Sequence, residues 1–307
     1  MLSESHLPPA VAGEEPRRSP LDGASPEVIS IWADWRTRQR WHKAEKSLLL
    51  QSKAYCRGWV EDGDKDKAGK LYTAYEAGEP VDPALAALLT PYTAAIKMLA
   101  DQRNEIEKSL RKTARKLPVY PWVKATFGAC DSTLAAIVGE AGNIGAYKSV
   151  SAVWKRLGLA VFDGNRQGNT TGADDKAATF VKHGYSPARR AVVWNIGNGL
   201  IGGMGRGPRL APGEDQNARE DLSPYQRLFV ERCRYEAGRD PAHRRPDTIK
   251  KDTGEVRESF SKHCASRAKR YVEKRFIRDL YAAWRAAEGH IRSDTHRSSA
   301  IGGETPA

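Results

Sequence analysis

The chain has little cysteine and no pattern in the cysteine it has. Cys56, Cys130, Cys233 and Cys264 stand far apart, with no Cys-x-x-Cys pair and no paired histidines at metal spacing. That speaks against a zinc module and against a secreted disulfide framework. The opening residues, Met1-Leu2-Ser3-Glu4-Ser5-His6, carry acid and no apolar stretch, so they do not read as a signal peptide. No segment reads as a membrane span, and a cytoplasmic protein without a membrane partner is expected. Strand alternation is missing as well, so the fold class expected is all-α. Negative charge is in deficit. Lys and Arg number 50 against 38 Asp and Glu, a formal net charge of +12 with a pI near 9.5. Such an excess favours polyanionic partners through phosphate neutralisation and counterion release. A soluble protein with an ordinary charged surface shows the same balance.

What is present is helical periodicity, in blocks. Residues 1–25 are rich in Pro, Glu, Gly and Ser and are expected to be disordered. A helical region follows over 26–82, where Ser25 and Pro26 read as cap and first turn. Trp32, Trp35 and Trp41 are of the type that stacks on bases, but their spacing reads as core. Over 83–117, Leu85, Leu89, Tyr92, Ile96, Leu99, Ile106, Leu110 and Leu117 fall on alternating steps of four and three, broken by Arg103 and Thr113. This is a heptad stripe. It serves either a coiled-coil seam between copies or a long helix packed on its own domain, and a homo-oligomer through 83–117 is expected.

Residues 118–201 read as a helix-hairpin-helix domain, 202–222 as a Gly-rich linker, 223–289 as basic C-terminal helices, and 290–307 as a disordered tail. In the last helix, about Ser259 to Glu288, Ala265, Ala268, Val272, Phe276 and Leu280 form an apolar face. Arg267, Arg270, Lys274 and Arg278 form a row opposite it. That row suits a phosphate backbone or a merely solvated face.

The hairpin carries the candidate chemistry. Phe127-Gly128-Ala129-Cys130 interrupts two apolar segments, and Thr133 to Val138 restarts a helical pattern at once. A short helix–hairpin–helix can grip a phosphate, because the glycine lets the main chain approach and the next helix offers free N–H groups and a positive dipole end. Gly128, Ala129 and Thr133 are the candidate contacts. An αα-hairpin that only packs two helices has the same sequence signature.

An ordered string of motifs extends this reading. Gly128-Ala129-Cys130, Thr133 through Glu140-Ala141-Gly142-Asn143-Ile144, Tyr147-Lys148-Ser149 and Trp154-Lys155-Arg156-Leu157-Gly158-Leu159-Ala160 follow one another in order. Lys182-His183-Gly184, Arg189-Arg190 and a last helix from Ala265 to Leu280 come after them. Together they resemble the C-terminal domain of the insertion-sequence-110/116/902 transposases, over about half the chain.

The resemblance implies DNA as partner, with Lys182, Arg189, Arg190, Arg267, Arg270, Lys274 and Arg278 joining the hairpin as DNA-binding residues, and a guide RNA as a further partner. It also implies a RuvC-like half whose acidic residues hold magnesium, and a serine nucleophile. Neither is matched. Residues 1–80 show no acidic strand pattern, and Thr171 stands at the serine position, leaving Thr171 as the candidate catalytic residue. Cys130 stands where the family has a second glycine, and a side chain at positive φ would be strained there.

The expectation is a DNA-binding, transposase-related protein without a cofactor of its own, which does not catalyse strand exchange alone. Magnesium would enter only with a RuvC-like partner. The alternatives are an active recombinase subunit completed by such a partner and a coiled-coil interaction protein with a structural hairpin.

Overall fold

Ser25 starts the first helix as the sequence predicts. Its hydroxyl accepts the Val28 N–H, and Pro26 takes the first turn, where no amide hydrogen is needed. The computed structural model describes residues 19–162, 164–169, 175–202, 204, 222–240, 244–249, 254 and 256–289. Thr171, both outer ends and most of the linker at 202–222 lie outside them. The expected disorder of residues 1–25 is corrected at its end. Pro20 and Gly23 give their carbonyls to Asn143, from its backbone N–H at 2.8 Å and its side-chain amide at 3.3 Å, so this stretch is fastened to the core.

Helix α1 (Pro26–Cys56) and α3 (Pro83–Ala114) form a long antiparallel arm, with α2 (Lys65–Glu76) at its tip. Successive cross-links run down one helix and up the other. Asp34 accepts from Ser109, Arg38 pairs with Glu107, Glu45 with Arg103, and the hydroxyls of Tyr55 and Tyr92 meet at 2.8 Å. The heptad stripe therefore has a partner within the chain, namely α1. Arg103, which breaks the stripe, is the residue that reaches Glu45 at 2.8 Å and Glu107 at 3.1 Å. Apolar burial concentrates at the two ends. Cys56, Ala68, Tyr72, Leu85 and Leu89 close the tip, while Val28, Ile31, Leu110 and Ala114 join the main core. Between them Tyr92, Ile96 and Leu99 are only half-buried.

The expectation that nothing approaches a membrane span is corrected here. An 18-residue window of α3 reaches a mean hydropathy of 1.3, with 11% of it buried, so by length and composition this helix is apolar enough to cross a membrane.

The main core is built from α4 (Tyr120–Ala125), α5 (Asp131–Ala141), α6 (Val150–Arg156), α8 (Pro187–Ile201), α9 (Pro224–Arg239) and α10 (Lys262–Ala287), with α7 (Lys176–His183) lying outside it. Ser223 and Gln226 make a capping box for α9, and Ser261 caps α10. The fold is mostly helical, as expected, but not wholly. Val161–Phe162 (β1) pairs with Asn165–Arg166 (β2), and Arg244–Ile249 (β3) pairs antiparallel with Val256–Phe260 (β4). The second ribbon lies where helical patterning lapses. Its register shifts between Arg245 and Thr248, next to Pro246, which cannot donate to a ladder.

Helix α10 departs most from expectation. It is not a surface helix with one basic side but the central strut of the core. Val272, Phe276, Ile277 and Leu280 are fully or almost fully buried against the surrounding helices, each contributing about 1.5–3 kcal/mol. Lys269 and Glu273 are buried with them.

The hairpin glycine is also put to another use. Gly128 has φ +79°, in the region that favours glycine. A Cβ there would sit 2.3 Å from the Gly199 carbonyl oxygen of α8, so the turn docks on a neighbouring helix by backbone contact. Cys130 has φ −153°, ordinary extended backbone, and the strain expected of it does not arise. Gly128→Ala combines the left-handed penalty with an unyielding backbone clash. It is expected to cost about 3 kcal/mol or more, read as a lowered midpoint in denaturant unfolding. Cys130→Ser should leave the midpoint nearly unchanged.

Candidate functional site

Two helix faces with the same period meet around a cavity of about 610 Å³. From α8 come Pro187, Arg190, Ala191 and Trp194, and from α10 come Ser266, Lys269, Arg270 and Glu273. Both sets follow the i, i+3, i+4, i+7 spacing that places residues on one side of a helix. Lys176 and Phe180 of α7, one turn apart, and Arg166 at the end of β2 complete the wall.

The floor is tied by Gln167, which is buried and uses its whole amide. Its Nε2 donates to the carbonyls of Lys155 at 3.0 Å and His183 at 2.9 Å, and its Oε1 accepts the Ala160 N–H at 3.2 Å. One side chain thus joins the end of α6, the residue before β1 and the end of α7.

The electrostatics of the cavity turn on Glu273. Its side chain is 0% exposed, and Arg190 Nη2 stands 2.7 Å from Oε2. Burial pushes its carboxyl up, while Arg190 and Lys269 pull it back down. Gly197 of α8 makes the room, since a Cβ there would meet Glu273 Cγ at 2.8 Å. The Lys269 ammonium lies 3.6 Å over the centre of the Trp194 ring and donates to Asn198 Oδ1. Burial pushes Lys269 down to about 8, with Glu273 opposing and Arg190 adding to the shift. Arg270 turns inward and donates to the Ala160 carbonyl at 3.1 Å, and burial lowers its guanidinium too. The sum is five cationic side chains, Arg166, Lys176, Arg190, Lys269 and Arg270, around one carboxylate. Arg190 Nη1 finds no acceptor among the described residues.

The residues expected from sequence are distributed differently. Arg189 and Arg190, adjacent in the chain, serve opposite sides of α8. Arg189 donates to the Arg156 carbonyl at 3.4 Å and stands 4.0 Å from Glu140. Arg36 reaches the Gly139 carbonyl at 3.1 Å, and Arg156 reaches that of Glu140 at 3.0 Å. These arginines satisfy the unpaired carbonyls at the ends of α5 and α6, the negative ends of their dipoles.

Of the row on α10, only Arg270 lines the cavity. Arg267 pairs with Glu236 of α9 at 3.2 Å, Lys274 lies 4.4 Å over Trp154, and Arg278 pairs with Asp279 at 2.9 Å. The row is thus divided: Arg267 is engaged by α9, Lys274 by α6 and Arg270 by the cavity wall, while Arg278 pairs with its own neighbour in α10. Lys182 is exposed on α7.

At the hairpin, Asp131 already occupies the start of α5. Its Oδ1 accepts the Ser132 N–H at 2.8 Å, and Arg115 holds its Oδ2 at 2.6 Å. Gly128, Ala129 and Thr133 therefore flank a helix end that carries its own anion. Among the described residues no group of three or more His, Cys, Asp or Glu could hold a metal ion.

Sequence reasoning missed Arg166, Lys176, Trp194, Lys269 and Glu273. A signal existed for the last two, charged residues set one turn apart and next to an apolar stripe. Arg190→Ala should show what they hold together, because it removes the 2.7 Å partner of a buried carboxylate. A loss of about 3–5 kcal/mol in unfolding free energy is expected, with part recovered when Glu273→Gln is added. No family model, no curated protein and no solved structure matches the chain.

Proposed function

We propose that the chain binds nucleic acid through its phosphates, as a DNA-binding protein of the transposition or recombination kind that its motifs resemble. One observation carries the proposal: a cavity wall of five cations around a single buried carboxylate, in a chain of net charge +12. Such a surplus next to polar, part-exposed surface selects polyanions. A guide RNA, the other polyanion implied by the resemblance, offers the same phosphates. Strand exchange is not assigned to this chain alone. A RuvC-like partner would have to bring the carboxylates for magnesium.

The test is duplex binding at graded salt. Affinity for a short duplex should fall roughly a hundredfold or more between about 50 and 200 mM salt. Arg166→Ala and Lys176→Ala, both at exposed positions, should each weaken binding to all sequences alike and reduce the salt slope by about one. The same titration should weaken as pH rises through about 8, where Lys269 loses its proton and the cavity one positive charge. Binding indifferent to salt, or absent at low salt, would overturn the proposal.

A second reading concerns assembly, and the arm supports it. Leu50 and Met98 stand at about the same height on α1 and α3, between the Glu45–Arg103 and Tyr55–Tyr92 links, and are 58% and 59% exposed. A second copy packed against these exposed side chains would set further helices beside the arm. Leu50→Glu with Met98→Glu should dissociate that oligomer in sedimentation without altering the helical content. A wild-type monomer at high concentration would sink the reading.

A further inference from the structure

We infer that the cavity receives one unpaired nucleotide of a strand, with its phosphate among Arg166, Lys176 and Arg270 and its base against Trp194. The inference rests on the nucleic-acid reading above and narrows it. A cavity of about 610 Å³ lies in the size range of small-ligand sites. A double helix can touch only exposed cations of the wall such as Arg166 and Lys176, whereas a single nucleotide unit can enter the space. A paired base reaches a pocket of this kind only by leaving its stack, which is least costly where the base is already unpaired.

Trp194 supplies the surface such a base needs. It closes the α8 face of the cavity and remains 51% exposed, unlike the aromatic residues of the core. The Lys269 ammonium at 3.6 Å holds one face of the ring, fixing its plane beside the cations. An aromatic plane next to a basic wall is the arrangement by which single strands are bound without regard to sequence. Tyr185 and Phe180, edge to face with centroids 4.9 Å apart, give the opposite wall the same aromatic character.

The test compares two fluorescent DNA hairpins of equal phosphate number, one fully paired and one carrying a short single-stranded gap, at fixed low salt. The wild-type chain should bind the gapped hairpin about tenfold or more tightly than the paired one. Trp194→Ala should weaken binding to the gapped hairpin by about 5- to 100-fold and leave binding to the paired one within about twofold. Trp194→Phe should keep most of the preference and melt like the wild type, and Trp194→Ala, which uncovers the Lys269 ammonium, should still be folded at the assay temperature by circular dichroism. Equal wild-type affinity for the two hairpins overturns this inference while leaving phosphate binding in place. So does a preference that survives Trp194→Ala. Binding of neither hairpin overturns the nucleic-acid reading and this inference together. A free nucleoside monophosphate that displaces the gapped hairpin only in the wild type supports the site. One that binds tightly where the gapped hairpin does not bind overturns its assignment to a strand.

Discussion

The buried carboxylate of Glu273 decides how α8 meets α10. An ion removed from water costs several kcal/mol unless it is met by opposite charge and hydrogen bonds. Arg190 at 2.7 Å supplies the charge, with Lys269 beside it. The requirement runs both ways. Without Glu273, Arg190, Lys269 and Arg270 would press like charges together at one helix contact. With it, two helices bearing cations on their facing sides can close. Gly197 belongs to the same constraint, because only a residue without a side chain lets the carboxylate and the lysine stem reach the backbone of α8. Core packing therefore places three of the cations of the cavity, Arg190, Lys269 and Arg270, while Arg166 and Lys176 join them from outside that helix contact.

A second carboxylate plays a parallel part on the other side of α8. Glu140 accepts from the Trp35 indole at 2.8 Å and stands among Arg36, Arg156 and Arg189. Consecutive residues of a helix point about 100° apart, so Arg189 and Arg190 cannot act on one ligand in the same way. Arg189 belongs to the arginines around Glu140, and Arg190 to the cluster around Glu273. A doublet that reads as one basic patch is thus divided between two buried ion networks, and only one of them opens on the cavity.

This division shows where the sequence was legible and where it was not. Caps were legible, since Ser25 with Pro26 is a local rule that tertiary context seldom overrides. The stripe of α3 was legible as an apolar seam, but its partner was not, because the same period serves an intramolecular and an intermolecular contact. Arg103 could have helped, as a long cation in a seam demands a carboxylate opposite, and Glu45 lies in α1. The hairpin at Gly128 was legible as a turn, but positive φ was expected at Cys130 and is found at Gly128. What lay against it depended on Gly199, far away in the chain. The division of the row on α10 was hidden for a related reason. Helical spacing places side chains on one side but says nothing of how many neighbours surround the helix, and α10 is packed against α6, α8 and α9. The β3–β4 ribbon left no apolar alternation to find, since Arg244 to Thr248 and Arg257 to Ser259 contain no apolar residue except Pro246.

The arm and the cavity are not independent parts. Trp35 of α1 lies on Gly139 of α5, where a Cβ would come within 2.2 Å of the indole, and its Nε1 donates to Glu140. The base of the arm is thereby fixed to the carboxylate that also faces Arg189. Arg189 and Arg190 then carry the connection across α8, from the side held by the arm to the side that lines the cavity. Packed helices linked by buried ion pairs shift as units, since such contacts tolerate little continuous deformation. Trp35, Glu140, Arg189 and α8 thus form a chain of contacts from the base of the arm to the wall formed by Arg190 and Trp194.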